Sequence, residues 1–99
     1  MGVTSRTPIS DAQFGLSFTS AAAVTLTVPK AARVAEIYVR TASIVFTRDG
    51  TTPTATKGIQ ADPGDIILLN SEGECLGFKG IAVSATATGD VEYFRDVSG

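Results

Sequence analysis

Histidine is absent from this chain of 99 residues, and cysteine occurs only once, at position 75. Nucleophilic enzymes usually need a histidine to activate the nucleophile, and zinc sites are built mainly from histidine and cysteine. A single cysteine cannot form an intrachain disulfide, which excludes a disulfide-stabilised scaffold of the secreted type. We therefore predict a protein that is not an enzyme, with no catalytic residues, no metal site and no cofactor.

Charge is also scarce, at 18% of residues, and the net charge is −2. The eight Lys and Arg residues form no run, whereas nucleic-acid binding needs a basic stripe. No apolar run approaches the ~20 residues of a membrane span, and the N-terminus lacks the apolar segment of a signal peptide. We predict neither a nucleic-acid nor a membrane partner.

A surface with little charge suits contact with another protein, because few charges need to be desolvated on docking. Alanine and threonine replace much of the missing charge. Threonine is also common in strands because of its β propensity. The composition is therefore equally typical of an ordinary β surface.

Carboxylates are the one group of side chains that could carry chemistry. Asp62 and Asp65 flank a Pro-Gly pair, and Glu72 and Glu74 follow Asn70. Two facing acids can act as acid and base, and Asn70 with the two glutamates could offer oxygens to calcium. The same residue types are common in turns, because their side chains are solvated and hydrogen-bond to their own backbone. We favour the interpretation that these residues serve turns.

Alternation of apolar and polar residues, with many β-branched residues, runs through most of the chain and predicts strands. The run IILL does not alternate, which predicts a strand covered on both faces. No segment has a sustained helical period. The sequence thus predicts an all-β fold, a small antiparallel β-sandwich or barrel of jelly-roll-like type with about eight short strands. The expected strands are 14–18, 24–28, 33–40, 43–48, 66–69, 75–78, 81–86 and 91–94.

Turn signals separate these strands. Asp49-Gly50 follows an apolar run and predicts a turn that returns residues 51–56 beside 43–48. The DPGD segment at 62–65 predicts a type II turn, with Gly64 at the position that needs positive φ. We also expect turns at 70–73 and at Gly89-Asp90. Between 40 and 43 either a tight hairpin or a bulged continuous strand is possible.

The chain divides into an extended N-terminal arm, residues 1–12, and one β-sandwich domain, residues 13–99. The arm has no clear period, so it is either disordered or added as a strand to a neighbour. The arm and the polar loop after Asp49-Gly50 are the candidate partner-binding segments. The candidate residues are Thr4, Arg6, Pro8, Thr51, Thr52, Pro53 and Thr54.

Four stretches give the chain a resemblance to small virion structural proteins of tailed bacteriophages: VTLTVPKAARVAEIYVR, IVFTRDGTTPTAT, DPGDIILL and VEYFRD. The resemblance covers residues 24–94 and involves no catalytic motif. It implies a capsid decoration or cement protein that binds the major capsid protein or other virion proteins. It further implies a homo-oligomer, for which we expect a trimer, located on the capsid surface of the virion after assembly in the host bacterial cytoplasm. A head-completion or tail component, or a tail-associated receptor- or glycan-binding module, is the alternative.

Overall fold

Two antiparallel sheets form the protein in the computed structural model, which describes residues 5–8, 12–84 and 86–97. Sheet one has five strands in the order β1-β8-β3-β6, with β2 also paired to β8, and sheet two has the order β5-β4-β7. The predicted all-β, sandwich-like fold is confirmed, and the sheets do not close into a barrel. The elements are β1 Ser5–Pro8, β2 Gln13–Thr19, β3 Val34–Val39, β4 Ile44–Thr47, β5 Ile59–Ala61, β6 Ile66–Leu69, α1 Glu72–Gly77, β7 Lys79–Ala82 and β8 Thr86–Val97.

One apolar core fills the space between the two sheets. Phe78 stacks on Phe46 of sheet two, with ring centroids 5.8 Å apart, and meets the edge of Phe18 of sheet one at 6.4 Å. These three rings are almost fully buried, and aromatic pairs at such distances stabilise a core beyond the area they bury. Alternate residues of β3, such as Ile37, complete the inner face of sheet one.

Strand β8 runs unbroken for 12 residues, so the turn predicted at Gly89-Asp90 is wrong. Gly89 lies opposite Val39 on one side and Leu16 on the other. A Cβ placed at Gly89 would lie 3.1 Å from the carbonyl oxygen of Tyr38. The glycine therefore serves close approach of neighbouring groups to a central strand, which sequence cannot distinguish from a turn signal.

Residues 72–77 form the helix α1, where we had predicted a turn and then a strand from Cys75. Ser71 caps the helix, because its Oγ accepts a hydrogen bond from the backbone N–H of Glu74 at 3.1 Å. Glu74 in turn accepts the N–H of Asn70 at 2.8 Å. The first hydrogen bond satisfies one free donor at the helix start, and the second holds Asn70, the residue before the cap. Gly80, which falls between the predicted strands 75–78 and 81–86, lies inside β7.

Among the described residues, the segment predicted as a strand at 24–28 makes one strand-like contact, a bridge between Val24 and Gly80. Its alternation still describes burial, since Val24, Leu26 and Val28 pack on the core and the threonines between them are exposed. Apolar period alone therefore predicted the buried face correctly but not the hydrogen bonding.

Alternation along the predicted strand 14–18 would place Phe14 on one face with Leu16 and Phe18, yet 76% of Phe14 is exposed. A bulge separates them: Gln13 pairs with Val91 and Leu16 with Gly89, so three steps on β2 match two on β8. Gly15, with φ of 70°, provides the extra residue. The bulge turns Phe14 outward.

Residues 40–43 do not form a hairpin, because β3 belongs to sheet one and β4 to sheet two. The strand that returns beside β4 is β5, not residues 51–56. The turn predicted at 62–65 is confirmed: Asp65 N donates to Asp62 O at 2.9 Å, and Gly64 has φ of 94°.

Candidate protein-binding surface

The two sides of the sandwich differ in how the sheets meet. On the closed side, Val24 and Gly80 exchange two backbone hydrogen bonds of 2.9 and 3.0 Å. Gly80 has no Cβ there, and one would lie 2.9 Å from the Phe18 ring. The segment that follows β2 thus bonds directly to β7 of sheet two and links the two sheets on this side.

On the open side, β5 and β6 are consecutive in the chain but belong to different sheets. The turn at 62–65 joins them, and a groove of about 320 Å³ lies between them. Each is the edge strand of its sheet. Edge strands present unpaired backbone groups to which another chain can bind.

Strand β6 was predicted to be covered on both faces, and this is wrong. Ile67 and Leu69 are buried, but Ile66 is 55% and Leu68 41% exposed. The cause is position: β6 pairs only with β3 and nothing covers its outer face among the described residues. Four apolar residues in a row conceal which two face solvent.

Ile59 marks the same gap from the other sheet. It lies opposite Phe46, as Ala61 lies opposite Ile44, so its side chain belongs to the inner face of sheet two. Phe46, Ile44 and Ala61 are buried, yet Ile59 is 50% exposed. An inner-face residue is left half in water because sheet one does not extend over it.

Charged groups border this groove. The Arg48 guanidinium lies 5.9 Å from the centre of the Phe46 ring, and its Nη1 donates to the Leu68 carbonyl oxygen at 3.4 Å. Asp65 lines the opposite end of β6. A second depression of about 500 Å³ continues from Phe46 and Ile59 past Lys57 and Glu74. We call Arg48, Ile59, Asp65, Ile66 and Leu68 the open groove.

The loop predicted to contact partners is only partly available. Thr52 and Thr54 are exposed, but Pro53 between them is buried. Together with residues 20–23 and 81–83, the three border a depression of about 350 Å³. The loop therefore lies over the outer face of sheet two instead of projecting from it.

Thr51 is held by the turn before it. Its N–H donates to Asp49 Oδ1 at 3.0 Å, and its carbonyl oxygen accepts a hydrogen bond from Thr47 Oγ1. The hydrogen bonds from Thr51 hold the pKa of the Asp49 carboxyl below its usual range. Thr51 thus stabilises the loop, and the exposed threonines at 52 and 54 remain the candidates for contact.

The arm contributes a strand to its own chain. Arg6 and Pro8 lie in β1, opposite Asp96 and Phe94 of β8. Thr4 lies outside the described residues. Strand β1 is at the far edge of sheet one from β6, so the structure does not unite the arm candidates with the open groove.

The acidic residues considered for catalysis or calcium serve local structure. Asp62 accepts hydrogen bonds from Ser43 Oγ and Gln60 Nε2, which lower the pKa of its carboxyl. Asp65 accepts the backbone N–H of Asp62 at 2.8 Å, and Glu72 lies 3.7 Å from Arg33. Within the described part of the chain, no three metal-ligating side chains cluster.

Cys75 is buried in the core, where burial raises the pKa of its thiol to about 11. A protonated, enclosed thiol packs as a small apolar group. Among the helices that residues 5–8, 12–84 and 86–97 form, none has the length and apolar character to cross a membrane.

The open groove was missed at the level of sequence. The predictions placed contacts on polar segments, whereas the exposed apolar residues lie on a strand read as buried. The turn at 62–65 was a usable signal. A strand that follows such a turn but does not pair with the strand before it lies at the edge of its sheet. Comparison with known proteins identifies no relative: no protein-family model, no curated protein and no solved structure matches this chain.

Proposed function

We propose that this protein is a non-enzymatic structural protein of a phage virion, which binds the capsid surface and stabilises the shell. The observation that carries the proposal is the open groove, where the edge of β6, which has no further strand beside it among the described residues, adjoins three exposed apolar side chains, Ile59, Ile66 and Leu68. The resemblance of residues 24–94 to small phage virion proteins supplies the class of partner, the major capsid protein.

The binding free energy expected from these side chains suits a protein that makes many weak, repeated contacts with the shell. Fully burying one such side chain stabilises a complex by roughly 1.5–3 kcal/mol. Because the three are about half exposed, each adds roughly 1 kcal/mol on docking. A ligand that binds the assembled shell but not its separated subunits stabilises the shell by mass action. Many copies bound in this way resist opening of the capsid.

The edge of β6 would fix the orientation of a partner strand in such a contact. An added strand from a capsid subunit would find backbone donors and acceptors along the edge and apolar side chains beside them. Low charge, 18% of residues, keeps the desolvation cost of a large contact area small. The proposal places the protein on the outer surface of the virion after cytoplasmic assembly.

Co-sedimentation with purified capsids tests the proposal. Wild-type protein should pellet with capsids and raise the temperature at which they open. Leu68→Ser should reduce the bound copies at a fixed concentration about tenfold. Phe14→Ser, which removes a more exposed apolar side chain from β2, is the matched control and should bind as wild type.

Two results would overturn the proposal. One is the absence of any wild-type binding to capsids at concentrations far above those in an infected cell, which would direct attention to tail components or glycans. The other is a loss of binding in Phe14→Ser with none in Leu68→Ser, which would place the contact elsewhere.

A further inference from the structure

The outer edge of β6 carries a defined set of backbone groups. Val39 N donates to Asp65 O at 3.0 Å. In an antiparallel ladder the hydrogen-bonded pairs recur at every second residue, so alternate residues of β6 after Asp65 also bond to β3. Ile67 and Leu69 therefore direct their backbone groups to β3. Ile66 and Leu68 direct their N–H and C=O groups away from the sheet.

We infer that β6 pairs with β6 of a second copy of this chain, antiparallel, so that sheet one continues across both molecules. The two-fold axis passes beside Ile67, which places Ile66 of each copy opposite Leu68 of the other. The two outward residues of each copy then form about four backbone hydrogen bonds. The Leu68 carbonyl oxygen already accepts a hydrogen bond from Arg48 Nη1 and uses its second lone pair for the partner strand. The contact is self-complementary, as a two-fold interface must be.

Charge complementarity selects the antiparallel second copy. Arg48 lies beside Leu68 at one end of β6, and Asp65 lies at the other end. Antiparallel pairing brings Arg48 of each copy to Asp65 of the other, so the contact gains two identical ion pairs. Parallel pairing would instead place like charges together.

Both side chains have unused hydrogen-bonding capacity for this pair. Arg48 has five N–H donors, of which one is spent on the Leu68 oxygen. Asp65 uses Oδ2 for the N–H of Asp62, which leaves Oδ1 free to accept a partner's guanidinium. Neither residue must break its present contact to form the new one.

The same pairing covers the exposed apolar residues. Cross-strand neighbours in an antiparallel pair lie close enough to bury each other, so Ile66 and Leu68 shield one another across the new contact. Ile59 gains cover because the joined sheet extends across the groove. The open sides of two sandwiches thereby close each other.

This inference concerns free protein in buffer and does not depend on the proposed phage function. Because β6 has one open edge among the described residues, a second copy and a capsid strand compete for it, so the dimer is the form of the free protein and separates when the protein docks. A dimer with no affinity for capsids would refute the proposed function alone. A monomer that binds capsids would refute the dimer alone. The trimer expected from the resemblance would require a different surface, since antiparallel edge pairing closes after two copies.

Sedimentation equilibrium from micromolar to about 1 mM protein, the weak end of specific association, tests the dimer. The mass should rise from 10.2 kDa to twice that value. Leu68→Lys should remain monomeric throughout, because a charge on an edge strand opposes pairing. Its fold should survive, since 41% of the Leu68 side chain is exposed and the lysine ammonium can reach water. Val83→Lys, at another exposed apolar residue, is the control and should dimerise normally.

A charge exchange tests the ion pair itself. Arg48→Asp and Asp65→Arg should each weaken the dimer at least tenfold, and the double variant should recover most of that loss. Asp65→Asn keeps an acceptor for the 62–65 turn but loses the charge, so it separates turn damage from the ion pair and should also weaken the dimer. Lys30→Asp makes the same change in net charge as Arg48→Asp at a remote exposed site and should have no effect.

Several results would overturn the inference. These are a wild-type mass of 10.2 kDa up to about 1 mM, a mass three times that value, equal weakening by Val83→Lys and Leu68→Lys, or no recovery in a folded double variant. Circular dichroism on each variant confirms that the comparison is made between folded proteins.

Discussion

The closed and open sides of this sandwich are built from opposite choices of residue. The closed side places glycine where two segments meet, so that Val24 and Gly80 can bond and Phe18 can lie against the backbone. The open side leaves bulky apolar residues about half exposed, at Ile59, Ile66 and Leu68. The first arrangement completes the fold within one chain, and the second leaves apolar surface for another chain.

The difference shows that the residues along a strand edge can indicate whether that edge is suited to bind another chain. A sequence that needed only a stable monomer could cover or charge the β6 edge, as many β proteins do. Here Arg48 and Asp65 border the groove at the two ends of the strand, and the strand itself is apolar throughout. Substitutions on either side of the sandwich can test this difference.

Phe18→Ala should have the largest effect, because Phe18 is fully buried on the closed side. Truncating a buried aromatic residue typically costs about 3–5 kcal/mol of unfolding free energy. Urea unfolding monitored by circular dichroism measures this cost. Phe14→Ala, on the exposed side of the same strand, should change stability by less than about 0.5 kcal/mol. Equal effects of the two would refute the strand phase and the bulge at Gly15.

Gly80→Ala should cost about 1–3 kcal/mol, since the added methyl group would overpack the core. The new Cβ would lie 2.9 Å from Phe18 and 3.1 Å from Phe78. Gly73→Ala is the control, because only Ser71 Oγ lies within 4 Å of its Cβ position, at 3.8 Å, and alanine favours a helix. The control should be neutral or stabilising; a neutral Gly80→Ala would show that the closed side is not tightly packed.

Acid should weaken sheet one through Asp90 of β8. Its carboxylate accepts the N–H of Gly15 at 2.9 Å and a hydrogen bond from Arg40 at 2.6 Å. The Gly15 bond first, and Arg40 second, lower the pKa of Asp90 in the folded state. A lowered pKa contributes stability above the unfolded value, near 4, that is lost as pH falls through the folded value.

Unfolding measured from pH 7 to pH 2 checks this, with Asp90→Asn as the comparison. The variant keeps an acceptor for Gly15 but cannot titrate, so its stability should fall less steeply below pH 4. Identical pH profiles would show that Asp90 contributes nothing to acid sensitivity.

Ile59→Ser should have the smallest effect on the free monomer, about 1 kcal/mol or less, because half of this side chain is already in water. Ile44→Ser, at the buried inner-face position next but one in the ladder, should cost about 3 kcal/mol or more. Thermal unfolding at low protein concentration measures both. A large loss in Ile59→Ser would show that the open side is part of the core.

Local sequence pattern predicted the fold class, the two-residue period of β3 and the turn at 62–65, because each depends on neighbours in the chain. It mispredicted Gly89 and the segment after Asn70, because glycine serves turns and close contacts alike and a six-residue helix has too few turns to show a period. The edge position of β6 depends on how distant strands pair, which no local pattern in IILL records. The open groove was missed for that reason.

Amide hydrogen exchange along β6 tests the central claim, that this edge is a surface for another chain, most directly. In dilute protein the amides of Ile67 and Leu69 should exchange slowly, and those of Ile66 and Leu68 rapidly. Raising the protein concentration should protect Ile66 and Leu68 selectively. Strong protection of both amides in dilute monomer, or continued rapid exchange while the protein associates, would contradict the account.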